Sequence, residues 1–290
     1  MSQHVSGYSA MPTGQAPTYP APTQLVEQPP TAPVPPPNPA AALSIRGLWK
    51  RFGDKVAVAG VNLDVPAGSF YGLVGPNGAG KTTALSMATG LLRPDFGLAL
   101  IHGADVWGQS MQAKQMIGVL PDGMRLFDRL TGAQLITYAG LLRGMDRDTV
   151  LARMEDLLTV MDLQGDRDKF VVDYSAGMTK KVSLACAMIH APRLLVLDEP
   201  FEAVDPVSAA NIRDILSGYV EGGGSVIVSS HVMDLVQRMC SHVAIINHGV
   251  VLAEGTVADV RGEQSLEDRF VDLVGGRNVG ERLSWLTNNQ

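Results

Sequence analysis

The run GPNGAGKT at 75–82 places three glycines, a lysine and a threonine in a spacing suited to holding phosphate. Gly75, Gly78 and Gly80 let the chain bend so that successive N–H groups point inward as an anion nest. Pro76, Asn77 and Ala79 complete the loop, and Thr83 follows it into the next element. Lys81 can reach the terminal phosphates, and the Thr82 hydroxyl is placed to ligate Mg²⁺. Such chemistry needs a strand to deliver the loop and a helix to follow it, whose dipole adds to the field. Both are predicted here: SFYGLVG at 69–75 is apolar enough for a buried strand, and KTTALSMATGLL at 81–92 has helical periodicity. The implied ligand is a nucleoside triphosphate.

Hydrolysis of that ligand requires acids beside it. LLVLDEP at 194–200 is an apolar strand ending in two carboxylates, which are costly to bury unless they face a cation. Asp198 suits a Mg²⁺ contact, and Glu199 suits the base that orients an attacking water. His231 follows the strand SVIVSS and is the one histidine set beside a strand end of this kind; His102, His190, His242 and His248 are assigned no role. DYSAGMTKK at 173–181 reads as a helix start in its own right.

The elements that position these groups alternate. LSIRGLWKRF and VAGVNLDV read as near-alternating strands ahead of the phosphate loop, and residues 110–165 read as mainly helical. Beyond them come the helix SLACAMIH, strand LLVLD, helix VSAANIRDILSGYV, strand SVIVSS, helix MDLVQRMC and strand VAIINHG. Strands separated by helices predict an α/β fold with a mostly parallel core sheet covered on both faces. Residues 1–42 hold 11 of the 18 prolines and one formally charged side chain, Glu27, and read as a solvated tail, PVPPP at 33–37 included.

Bulk properties exclude several classes. A net charge of −6 argues against a general nucleic-acid-binding surface. Two cysteines without CxxC spacing suggest neither a disulfide framework nor a zinc site, and fit a reducing cytoplasm. The start of the chain lacks the basic and apolar pattern of a signal peptide, and no run approaches the roughly 18 apolar residues of a membrane span.

Taken in order, GPNGAGKTT, a helical insert, YSAGM, LLVLDEP, VDP and the histidine after VIVSS resemble the nucleotide-binding subunit of an ATP-binding cassette (ABC) transporter, exporter-like and of the ABC-2 type. The resemblance spans about residues 43–275. It implies a P-loop NTPase fold with an N-terminal antiparallel β subdomain and a helical signature subdomain at about 122–190. An ATPase domain over 43–262 then precedes a C-terminal helix and tail over 263–290. The same resemblance implies a Mg²⁺-dependent ATPase that pairs with a second cassette, expected to be a second copy. Ser175 and Gly177 of one subunit would then meet the γ-phosphate held by the other. Asp205 would sit in the adjoining loop, Phe52 would stack on adenine, and Asp122 would stand in the loop that senses Mg²⁺. His231 would hold the γ-phosphate and the attacking water.

Where the family has LSGGQ, this chain has Ala176 for a glycine and Met178 for the glutamine; Asp122 likewise replaces a glutamine, and Glu202 stands where serine is common. With no apparent translocation path in the chain, the resemblance implies a separate membrane-spanning permease, which would hold the protein at the cytoplasmic face of the membrane. LEDRFVDLVGG at 266–276 resembles the closing helix of exporter-type cassettes. A soluble, non-transport ABC ATPase and a regulatory cassette with slow hydrolysis stay open as alternatives.

Overall fold

The computed structural model describes residues 34–123 and 125–275, so most of the proline-rich tail and the segment after Gly275 lie outside the described residues. Elements follow in the order β1 (Ala41–Phe52), β2 (Lys55–Pro66), β3 (Phe70–Val74), α1 (Lys81–Ala88), β4 (Phe96–Ile101), β5 (Ala104–Asp105), α2 (Ser110–Met116), β6 (Ile117–Leu120), α3 (Gly132–Leu142) and α4 (Arg147–Val160). After them come α5 (Ala176–Met188), β7 (Leu194–Leu197), α6 (Pro206–Glu221), β8 (Ser225–Ser230), α7 (Met233–Met239), β9 (His242–Asn247), β10 (Val250–Thr256), α8 (Val257–Arg261) and α9 (Leu266–Val274).

These strands form two sheets among the described residues. The core sheet runs β10-β9-β3-β8-β7-β6, parallel throughout except for the antiparallel edge strand β10. An antiparallel sheet, β2-β1-β4-β5, lies beside it. Strands β3, β7 and β8 are buried along their whole length, which explains the apolar runs FYGLV, LLVL and VIV within them, whereas β2 alternates buried and half-buried residues over its second half as an antiparallel strand with one wet face does.

Period-two geometry divides the core strands between two apolar layers. Phe70, Val74, Leu195 and Leu197 face the layer roofed by α3–α7 and α9, while Tyr71, Leu73, Leu194 and Val196 face the layer shared with α1 and the antiparallel sheet. Each such side chain, fully buried, contributes roughly 1.5–3 kcal/mol of transfer free energy. A polar chain stitches the sheets together: Asp64 pairs with Arg46 at 2.7 Å, and Glu254 on β10 accepts from both the Asp64 N–H (3.1 Å) and the Tyr71 hydroxyl (3.2 Å).

Two features depart from the expectations above, and one joins two of them. Residues 110–165 are not uniformly helical, because β6 lies within them and closes the far edge of the core sheet against β7. The helix start read at 173–181 is the start of α5, which begins at Ala176 under the Ser175 cap and runs on into SLACAMIH as one helix. Ala41 and Ala42, the end of the predicted tail, are buried residues of β1, and the Pro36 carbonyl accepts from Arg46 Nε at 2.8 Å. The helix predicted near 266–276 is present as α9, which sets Phe270 and Leu273 against the core. No described helix is long and apolar enough to cross a membrane.

Candidate nucleotide site

The phosphate loop leaves the end of β3 and enters α1. Close approach requires Gly75 and Gly80, and backbone angle requires Gly78 and Gly80. A Cβ on Gly75 would stand 2.3 Å from the Ile246 carbonyl oxygen, and one on Gly80, where φ is +106°, would stand 2.5 Å from that of Ala57. The turn between β9 and β10 braces the loop from outside, with the Gly249 N–H donating to the Ala79 carbonyl at 2.8 Å. Helix α1 has no side-chain cap and no acid in its first turn, so nothing from the side chains competes for its leading N–H groups.

Lys81, at the start of α1, is buried; its ammonium donates to the Gly75 carbonyl at 2.8 Å and to that of Pro76 at 3.4 Å. It also lies 3.5 Å from Glu199 Oε1. The other carboxylate oxygen, Oε2, lies 3.1 Å from His231 Nδ1. Lysine, glutamate and histidine thus form one ladder along the loop.

Strand β7 delivers the two acids differently. Asp198 is buried, its N–H donating to the Leu120 carbonyl at 2.8 Å and its carboxylate accepting a short hydrogen bond from the Ser229 hydroxyl. Glu199 turns off the strand line with φ +46°, a left-handed conformation unusual for a residue with a Cβ. Its N–H donates to Ser229 Oγ at 2.8 Å, and its carbonyl accepts from Lys180 Nζ at 2.9 Å. Ser229 and Lys180 were not singled out by sequence; the signals were a hydroxyl two residues before His231 and a second lysine beside Lys181.

Lys81, Glu199 and His231 open onto a cleft of about 480 Å³. Asn77, Gly78, Ala79, Gly80, Lys81, Thr82 and Thr83 form its floor, with Phe52, Asp122, Glu199 and His231 around it. Lys55, Ala57 and Glu202 complete the wall. Phe52 is 51% exposed at the end of β1, with the Lys50 ammonium 5.7 Å from its ring centroid, which leaves a face free for a flat ligand. Gly75 and Pro76 lie at the loop's entry and Asp198 behind Glu199, outside the lining.

Ser175, Gly177 and Asp205 do not reach the cleft. Ser175 caps α5, accepting from the Met178 N–H at 3.2 Å. Asp205 caps α6, accepting from the N–H groups of Ser208 at 2.9 Å and Val207 at 3.0 Å; these bonds hold its carboxyl below the usual aspartate range. A Cβ on Gly177 would stand 2.8 Å from Ser208 Oγ and 3.0 Å from Asp205 Oδ2, so this glycine lets the starts of α5 and α6 lie side by side.

The oxygen donors Thr82, Asp122 and Asp198 are hard ligands of the kind Mg²⁺ takes. Among the described residues no group of three or more His, Cys, Asp or Glu side chains could cage a metal by itself. That donor set fits an ion that keeps phosphate and water oxygens and borrows one or two from the protein.

Strand, glycine-rich loop, helix, buried lysine and strand-end carboxylates together define a P-loop nucleoside-triphosphatase. Residues 58–202 match the family model described as ABC transporter. Over 249 residues the chain is 34% identical to the daunorubicin/doxorubicin resistance ATP-binding protein DrrA of Streptomyces peucetius, covering 85% of this chain and 75% of that protein. Over 217 residues it is 36% identical to the Nod factor export ATP-binding protein I of Burkholderia lata, covering 75% and 71%. A solved structure of the ATP-binding subunit of an ABC transporter superposes with a TM-score of 0.74 at 26% identity, covering 80% of this chain and 99% of that one. The chain belongs to the ABC transporter family, as an ATP-binding and ATP-hydrolysing subunit.

Proposed function

We propose that ATP binds in this cleft with its phosphates on the loop 75–83 and its adenine against Phe52. Lys81 then exchanges Glu199 and its two carbonyl partners for phosphate oxygens, which frees the Glu199 carboxylate to take a proton from an attacking water. His231, already beside that carboxylate, holds the water and the γ-phosphate. Thr82, Asp198 and Asp122 would hold Mg²⁺, which when bound would neutralise charge on the phosphates. The observation that carries this assignment is the Lys81–Glu199–His231 ladder, with spacings of 3.5 and 3.1 Å.

Ser175, Gly177 and Asp205 serve a second cassette. Because they lie outside the chain's own cleft, their phosphate contacts are made across an interface, most simply between two copies related by a twofold axis. The ATPase domain then runs over about 43–262 with the helical subdomain at 122–190, followed by the C-terminal helix and tail assigned to 263–290. Closure of the pair drives a separate membrane-spanning permease from the cytoplasmic face. Relatives named for drug resistance and Nod factor export favour outward transport over a soluble, non-transport role. Glu199→Gln is expected to trap an ATP-bound dimer in size-exclusion chromatography and to abolish phosphate release. Release at the wild-type rate would remove Glu199 from its role.

A further inference from the structure

The signature helix α5 does more within its own chain than present Ser175. Five residues beyond that cap, Lys180 extends to the turn after β7 and donates from Nζ to the main-chain carbonyl of Glu199 at 2.9 Å. The same carbonyl accepts from the Glu202 N–H at 3.3 Å, closing the turn. Glu199 needs such a hold. Its φ of +46° costs a residue with a side chain, and Ala203 in the same turn is also left-handed, at +56°. Conformations of this kind persist only where the surroundings over-determine them. On one side Ser229 fixes the Glu199 N–H; on the other, the Lys180 ammonium fixes the carbonyl.

We propose that Lys180 is a positioning residue for hydrolysis. Its charged hydrogen bond keeps the Glu199 peptide in the left-handed state that aims the carboxylate along the phosphate loop, toward Lys81 and His231. The bond joins α5 to the catalytic turn, so a displacement of the helix that bears Ser175 is transmitted to the Glu199 main chain through one ammonium group. Lys180 touches neither the nucleotide cleft nor the carboxylate itself; it lines an adjoining hollow of about 280 Å³ with Ala203, behind Asp122 and Glu202, which the two hollows share. Its effect therefore falls on the rate of the chemical step and not on ATP binding.

The inference rests on Glu199 being the catalytic carboxylate. The experiment measures steady-state hydrolysis of Mg-ATP, and binding of a fluorescent ATP analogue, for the full chain and for Lys180→Met, Lys180→Arg and Glu199→Gln. Methionine keeps the length and apolar stem of lysine and removes the donor. For Lys180→Met, kcat is expected to fall about tenfold to a hundredfold, the range that loss of one charge-assisted hydrogen bond spans. KM and analogue affinity are expected to stay within about twofold of wild type, and Lys180→Arg to recover most of kcat.

Wild-type kcat in Lys180→Met, with Glu199→Gln inactive, overturns the role of Lys180 and leaves the site intact. Activity in Glu199→Gln overturns the assignment beneath it. A fall in kcat that arginine does not restore, with analogue binding falling in parallel, marks a general packing defect and also overturns the proposal.

Discussion

Replacing Ser229 by alanine removes one hydroxyl that serves both acids of the site. Ser229 is fully buried, donates to the Asp198 carboxylate and accepts from the Glu199 N–H at 2.8 Å. In Ser229→Ala the carboxylate loses a donor and the N–H loses its acceptor, in a region where water has little room. Each buried group left unpaired costs about 1–3 kcal/mol, and the two share one site, so the sum is about 2–4 kcal/mol, not the full double penalty. Ser229→Thr retains the hydroxyl and suits a strand, and is expected to lose far less. Ser230→Ala gives a nearby comparison, since that hydroxyl accepts only from the Val232 N–H at 3.0 Å. Urea unfolding measures the loss as a lower midpoint at unchanged m, with ATP hydrolysis followed in parallel because the Glu199 main chain is loosened on one side. A destabilisation under about 0.5 kcal/mol, the size of an ordinary surface change, together with wild-type kcat would refute the assignment of Ser229 as the common anchor.

Two further outcomes follow from the geometry. Phe52→Ala is expected to weaken ATP binding about tenfold, near the low end of base-stacking energies because the ring is half exposed, while Phe52→Tyr binds as wild type; an unchanged Kd for the alanine variant would place adenine elsewhere. Burial, aided by Arg143 and Arg153, pushes the His190 imidazole down to about 4 from the 6.5 of an unfolded chain. The unfolded state therefore takes up the proton first, and this residue lowers stability progressively as pH falls from 6.5 to about 4. His190→Gln should flatten the urea midpoint against pH across that window, and an unaltered slope would assign the loss to other groups.

Much of this site is legible in sequence because its chemistry forces neighbours in space to be neighbours in the chain. An anion nest needs consecutive N–H groups, so GPNGAGKT is contiguous, and a strand must end in its acids, so LLVLDEP is too. The buried strands β3, β7 and β8 announce themselves by short apolar runs, FYGLV, LLVL and VIV. Strand β6 does not: IGVL is four residues between a helix and a turn, too short for either period to register. Nor were β4, with FGLALI, and β10, with VVLAEGT, read as strands; each carries a glycine within it. The links from Ser229 and Lys180 to the acids cross 30 and 19 positions of chain, and no periodicity encodes them. Ser175, Gly177 and Asp205 read locally as helix caps and a close contact, which is how the single chain uses them. Only the family resemblance gives them a phosphate.

The phosphate loop is wedged where the two sheets meet, with Gly75 against Ile246 on the parallel side, Gly80 against Ala57 on the antiparallel side, and Gly249 bonded across to both Ala79 and Ala59. With ATP seated on this loop as proposed, nucleotide binding and the fit of the two sheets would be coupled, because the same residues serve both. A ligand present at a hundred times its Kd adds about 2.7 kcal/mol to the closed arrangement. On the proposed site that increment would act at the joint itself, so ATP would serve as mortar between the sheets as well as fuel.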